Sequence, residues 1–246
     1  MRTLILALLL SLSTTASAVV WRADADPKAA LALGAENPAV GRVLPDGSAT
    51  LVAPEWAITA AHVAAQVKPG TELEFGGKRY AVLEVHIHPQ GQPDPARPRQ
   101  PPGVDLALLR LAKPVEGIVP LALYRGQDEM SLPARIAGCG DFGPAGAKLA
   151  HQDGRCRAVT NAVADAGPKR LFLAFDAPPA GTVLEGVGAP GDSGGSALVL
   201  VDGKWQVAGV SSAGDGPPNA YGSTDVHTRV SSQLEWLDRT LGAKAP

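Results

Sequence analysis

Glycine and proline punctuate this chain so densely that few segments can run far as a regular helix. They account for 28 and 22 of its 246 residues, close to the share at which packed proteins give way to low-complexity polymers. Yet 45% of the residues are hydrophobic, which suits a packed globular chain. Short strands joined by tight turns reconcile the two facts. Apolar runs of strand length recur at 49–52, 80–87, 106–111, 171–175, 197–201 and 205–211, each bounded by turn residues. The last two flank Asp202-Gly203, a pair that tolerates the positive φ of a two-residue hairpin turn. Only the C-terminus reads as helix: Leu234, Leu237 and Leu241 share a face, and Ser232 with Glu235 fits a capping box. The expected fold class is all-β, sandwich or barrel, with a C-terminal helix.

Residues 1–18 differ in character. Arg2 precedes an apolar run over 4–12 and then Ala16-Ser17-Ala18, the pattern of a secretory signal peptide with its cleavage site. The run falls far short of the ~20 residues that cross a bilayer, so the expectation is export without a membrane anchor, to the extracellular space or a periplasm. Exported proteins meet oxidising conditions, and Cys139 and Cys156 are expected to pair across the turn-rich segment between them. Two buried free thiols are the alternative. With 22 basic against 24 acidic residues and no basic run, nothing supplies the footprint of phosphate binding, which argues against a nucleic-acid partner.

Residues 89–103 hold six prolines and are expected to form a stiff surface loop. His86 and His88 fall on one strand face, but with no third ligand nearby in sequence they read as a structural pair rather than a metal site. His151 and His227 have no evident partner and read as surface or packing residues.

Three segments carry chemistry: Trp56-Ala-Ile-Thr-Ala-Ala-His62, Val104-Asp105-Leu-Ala-Leu-Leu109 and Gly191-Asp-Ser193-Gly-Gly195. Each sets one polar residue among small or apolar neighbours. Amide hydrolysis by covalent catalysis needs a hydroxyl nucleophile, an imidazole to take and return its proton, and a carboxylate to orient and stabilise the imidazolium. Ser193, His62 and Asp105 can supply all three, and the glycines around Ser193 leave backbone N–H groups free to meet a developing oxyanion.

These segments, in this order and 43 and 88 residues apart, resemble those of the chymotrypsin-like (trypsin-family) serine endopeptidases, from about Val40 to the C-terminal helix. The resemblance implies two packed six-stranded antiparallel β-barrels with the site in the cleft between them. It divides the chain into a signal peptide (1–18), an N-terminal arm with the first barrel (19–120), and a second barrel with the C-terminal helix (121–246). The implied catalytic residues are His62, Asp105 and Ser193, with Gly191 and Ser193 N–H groups as the oxyanion hole. Ser212, Ala213 and Gly214 match the strand that pairs with extended substrate, a form of β-augmentation.

Val187 matches the floor of the specificity pocket, and Asp225 falls beside it if the last strand aligns without a gap. The reading then leans to cleavage after Arg or Lys, whereas a shift of one residue favours an apolar side chain. The family's activating pair matches Asp192 and an N-terminus freed at Val19 by export itself; the alternative is that Val19 merely begins a loose arm. Where the family usually has cysteine, this chain has Val63 and Ala189, and Cys139–Cys156 is not a usual family bridge. Tyr221 has no counterpart we can assign.

The expected activity is a secreted serine endopeptidase acting on protein or peptide as a monomer, with no cofactor and no metal. The resemblance also allows a proteinaceous inhibitor as partner. Two other readings stand beside it: a trypsin-like binding protein that has lost catalysis, and a serine esterase built on the nucleophile elbow Gly191-x-Ser193-x-Gly195.

Overall fold

The computed structural model describes residues 19–91 and 103–242; the proposed leader and most of the proline-rich stretch lie outside the described residues. The apolar runs become strands with the expected boundaries to within a few residues. Val40–Val43, Ser48–Ala53, Trp56–Thr59, Ala107–Leu111, Lys78–Ile87 and Glu72–Phe75 close in that order into an antiparallel barrel. Leu51, Leu73, Phe75 and Leu109 fill its interior, while Ile58 and Leu108, on the opposite face of their strands, are buried outside it. Gly41 permits the closure, because a Cβ there would lie 2.5 Å from the Phe75 ring and 2.3 Å from Glu74 O.

The second half is built from Arg157–Ala162, Pro133–Gly138, Ser196–Val201, Lys204–Asp215, Thr224–Arg229 and Arg170–Ala174, joined in that order, with Asp165–Ala166 at the far edge. These are six long strands, as the resemblance implies, but their ladder does not close as a second full barrel. Instead the Asn161 amide bridges the gap, donating to Ala174 O at 2.9 Å and Gly186 O at 2.7 Å. The short strand Gly186–Val187 beside the gap is engaged elsewhere, by the N-terminal arm. Asp202 and Gly203 take the positive φ of the expected hairpin turn, 48° and 73°, between Val201 and Lys204.

The two chain ends cross over. Val20–Trp21 lies parallel to Gly143–Pro144 and antiparallel to Gly186–Val187 in a small three-stranded sheet of its own, so the arm belongs in space to the second half and not to the barrel that follows it in sequence. The Trp21 indole stacks on Phe142 with centroids 6.4 Å apart. The Arg157 guanidinium lies 3.4 Å over the Phe142 ring and is held by Asp153. Tyr221 finds its role here: its hydroxyl accepts from Ala23 N at 2.8 Å.

The arm continues into a helix, Pro27–Ala35, that the sequence reading missed although its start signals are present. Asp26 caps Lys28 N, and Pro27 occupies the first turn. At the other end Leu237 of the helix Leu234–Leu241 is buried in the first barrel's cluster. The capping box does not form, because Ser232 lies in a 3-10 turn, Val230–Gln233, and its hydroxyl donates to Arg229 O. Cys139 and Cys156 are disulfide-bonded, one step beyond the paired Gly138 and Arg157.

Candidate active site

Barrel register brings His62 and Asp105 together. Thr59 pairs with Ala107, so the short helix Ala61–Ala64 that follows the first strand meets the residues that precede the second. His62 Nδ1 lies 2.7 Å from Asp105 Oδ2, and His62 N donates to Oδ1 at 3.0 Å. Asp105 is 2% exposed. Its backbone carbonyl accepts from Thr228 Oγ1 and its Oδ2 from Ser212 Oγ, at 2.9 and 2.7 Å. Burial pushes the Asp105 carboxyl up, but the His62 ring, the Ser212 hydroxyl and the His62 N–H outweigh it, leaving the pKa below the usual carboxylate value. The group is thus an anion beside the imidazole.

A β-bulge aims the Ser212 hydroxyl. Ser211 pairs with His227 and Ala213 with Val226, leaving Ser212 as the extra residue of its strand; such a residue is re-aimed by the local kink. The loop that carries Ser193 is anchored to the same place. Gly194 N donates to Ser211 O at 3.0 Å and Ser211 N to Gly195 O at 2.8 Å, which sets Ser193 beside Ser212. Ser48, which no motif singled out, holds the loop from the first barrel. Its N–H donates to Ser193 O and its hydroxyl to Gly191 O. Gly194 has φ 84°, and a Cβ there would meet Thr59 Oγ1 at 2.1 Å. The loop can pass this close to the first barrel only as glycine. Asp192 O accepts from Gly195 N, so the Ser193 N–H, on the opposite side of that trans peptide, points away from the turn.

A cavity of about 560 Å³ opens beside Ser193 and is lined by Val187, Ser212, Ala213, Gly214 and Asp225 among others. One edge of Ala213–Asp215 pairs with Thr224–Val226. Asp225 Oδ2 accepts from Gly188 N at 2.5 Å.

Asp192 is not among the residues that line this cavity and is 1% exposed. It accepts from Ala189 N at 3.1 Å and Gly140 N at 3.3 Å. Burial, and more weakly the charges of Asp225 and Asp141, push its pKa up to about 7 against the pull of those two N–H groups. Val19 is also buried. The residue after it pairs with Gly143 and Val187, on the same two segments whose N–H groups hold Asp192.

The remaining histidines have separate partners. His86 Nε2 lies 2.8 Å from Glu84, while His88 Nδ1 accepts from Gln90 N. His151, read in sequence as partnerless, lies 2.7 Å from Asp141. His227 is wholly buried within 3.5 Å of Asp225, a proximity that the i, i+2 spacing on one strand face could have indicated.

A family model described as Trypsin matches residues 38–237, and the chain belongs to the trypsin family of serine peptidases, whose substrates are proteins or peptides. Among solved structures it is similar to neuropsin, a serine protease expressed in the limbic system of mouse brain. The TM-score is 0.65 at 16% identity, over 85% of this chain and 96% of that one; the likeness is one of fold. The nucleophile-elbow reading fails on topology: Ser193 is followed by the strand Ser196–Val201 of an antiparallel sheet, where that motif needs a helix. No helix among the described residues is long and apolar enough to cross a membrane.

Proposed function

We propose that the chain is an endopeptidase that cleaves peptide bonds through an acyl-enzyme formed on Ser193. His62 Nε2 takes the Ser193 proton as Oγ attacks the scissile carbonyl, then returns it to the leaving amine. Water repeats the sequence, and the acyl group leaves as a carboxylate. Asp105 keeps the proton on Nδ1 and stabilises the imidazolium, while the Gly191 and Ser193 N–H groups receive the oxyanion. The observation that carries this reading is the Ser212–Asp105–His62 hydrogen-bond chain, whose Ser212 end adjoins Ser211, the residue that anchors the Ser193 turn.

The position of Asp225 in the cavity favours a substrate with Arg or Lys before the scissile bond, through a charge-assisted hydrogen bond. Ser212 to Gly214 would pair with the substrate backbone. The protein works as a secreted monomer, open to restraint by a proteinaceous inhibitor. Burial of Val19 beside the segments that hold Asp192 favours an export-generated ammonium as the missing counter-charge of that carboxylate.

The test is Ser193→Ala together with labelling by a serine-directed phosphonate. Peptidase activity should fall on the order of 10⁴-fold or more, and labelling should vanish with it. Activity surviving the substitution removes the mechanism, and a correctly processed parent protein that takes no label is a binding module.

A further inference from the structure

His227, next to the cavity-lining Asp225, has both ring nitrogens buried and, among the described residues, without hydrogen-bond partners. Buried polar atoms are rarely left so. Among the described residues the carboxylate within 4 Å is Asp225, whose Oδ2 is 3.5 Å from His227 Nε2, close enough for an ion pair though not aligned as a hydrogen bond. Asp225 forms part of the cavity wall and His227 does not. Ser223 Oγ, also buried and unpartnered, lines the same cavity, so the site holds polar capacity that its own residues leave unused.

The surrounding charges leave this pair to itself. Arg170 and Asp215, on the flanking strands, lie opposite Thr228 and Thr224 rather than His227. Arg229 is held by Glu129 and Asp105 by His62. Asp192, on the nucleophile loop, and Asp141 complete the acidic surroundings through their repulsion with one another and Asp225.

We propose that His227 controls, by its own protonation, whether Asp225 is available to a basic substrate side chain. As imidazolium it pairs with the carboxylate, and the cavity offers a substrate no net charge. As neutral imidazole it leaves the carboxylate unpaired, and a Lys or Arg side chain takes the place of the proton. Imidazole is the side chain suited to such a change near neutral pH. Cleavage preference therefore shifts toward basic residues as pH rises and toward apolar ones as it falls. His227 acts through Asp225 and is a positioning residue. The proposal rests on the reading that this cavity receives the substrate side chain before the scissile bond.

The experiment measures kcat/KM from pH 5.5 to 8.5 for two peptides that differ only in Arg or Leu at that position. His62, Asp105 and Ser193 serve both substrates, so their titration cancels in the ratio. The Arg-to-Leu ratio should rise at least tenfold along a one-proton curve in the parent protein. It should stay high and flat in His227→Gln and in His227→Phe, in which Asp192 and Asp225 are intact and any remaining slope is theirs. A flat ratio in the parent protein, which needs no substitution to observe, overturns the proposal, as does an unchanged curve in either variant. Asp225→Asn separates the underlying reading. If Arg preference at pH 8.5 is absent or survives this change, the cavity assignment fails and the proposal with it. If the change removes the preference while the parent ratio is flat, only the role of His227 fails.

Discussion

Asp105 and Asp192 are both buried carboxylates that face opposite electrostatic problems. Asp105 is surrounded by donors that hold its pKa down; the stability it contributes is present above the unfolded carboxylate pKa and is lost as pH falls through the depressed value. Asp192 has two backbone donors and, among the described residues, no cationic side chain in its immediate surroundings. Its folded form binds a proton more tightly than the unfolded chain does, so stability declines as pH rises from about 4, the ordinary carboxylate value, through about 7. In protein that keeps the residues before Val19, Asp192→Asn should raise stability at pH 8 by on the order of a few kcal/mol, because each tenfold difference in proton affinity between folded and unfolded chain is worth about 1.4 kcal/mol. In protein beginning at Val19 the same change should destabilise, because the ammonium loses its partner. Thermal denaturation of both forms between pH 4 and 8 checks this, and equal responses would remove the Val19–Asp192 pairing. His62, Asp105 and Ser193 could be singled out as candidates in sequence because each sits in a short motif of small neighbours. Ser48 and His227 were not, since their roles come from partners distant in sequence or from burial.

Strands and turns were mostly legible, because Gly, Pro and Asp-Gly mark where each run must stop. Two features of the elements escaped the sequence for different reasons. The helix Pro27–Ala35 carries a weak apolar pattern, and its Asp26-Pro27 start was the available signal. The bulge at Ser212 depends on the register of two strands, which neither strand encodes alone. That bulge is what turns a strand serine onto Asp105. Ser212→Ala removes one hydrogen bond to a charged, buried acceptor, an interaction worth about 1.5–3 kcal/mol. We expect kcat/KM to fall by roughly tenfold to a hundredfold on that basis, with the disulfide and fold intact by circular dichroism. Unchanged kinetics would mean that His62 alone suffices to hold the carboxylate.

At the scale of the whole molecule, each half is completed by the opposite chain end. The N-terminal arm packs on the second sheet, and the C-terminal helix on the cluster of the first barrel. The loop that carries Ser193 hangs from Ser48 of one half and Ser211 of the other, and the proposed processing at Val19 would act on it through Asp192. N-terminal sequencing of the exported protein should read Val19-Val20-Trp21, and protein with the leader retained should be much less active on peptides. A start well downstream of Val19 overturns that route to activation. Residue order was enough for the all-β class, the family resemblance, the three catalytic candidates and the cysteine pair, because each is written in a short local stretch. It took the folded chain to establish that the Asn161 amide bridges the gap the second sheet leaves open, that the arm crosses to the far half, and that Asp225 and His227 share a buried site. Those outcomes depend on which distant segments compete for the same edge or the same cavity, and burial then sets the charge that each group can hold.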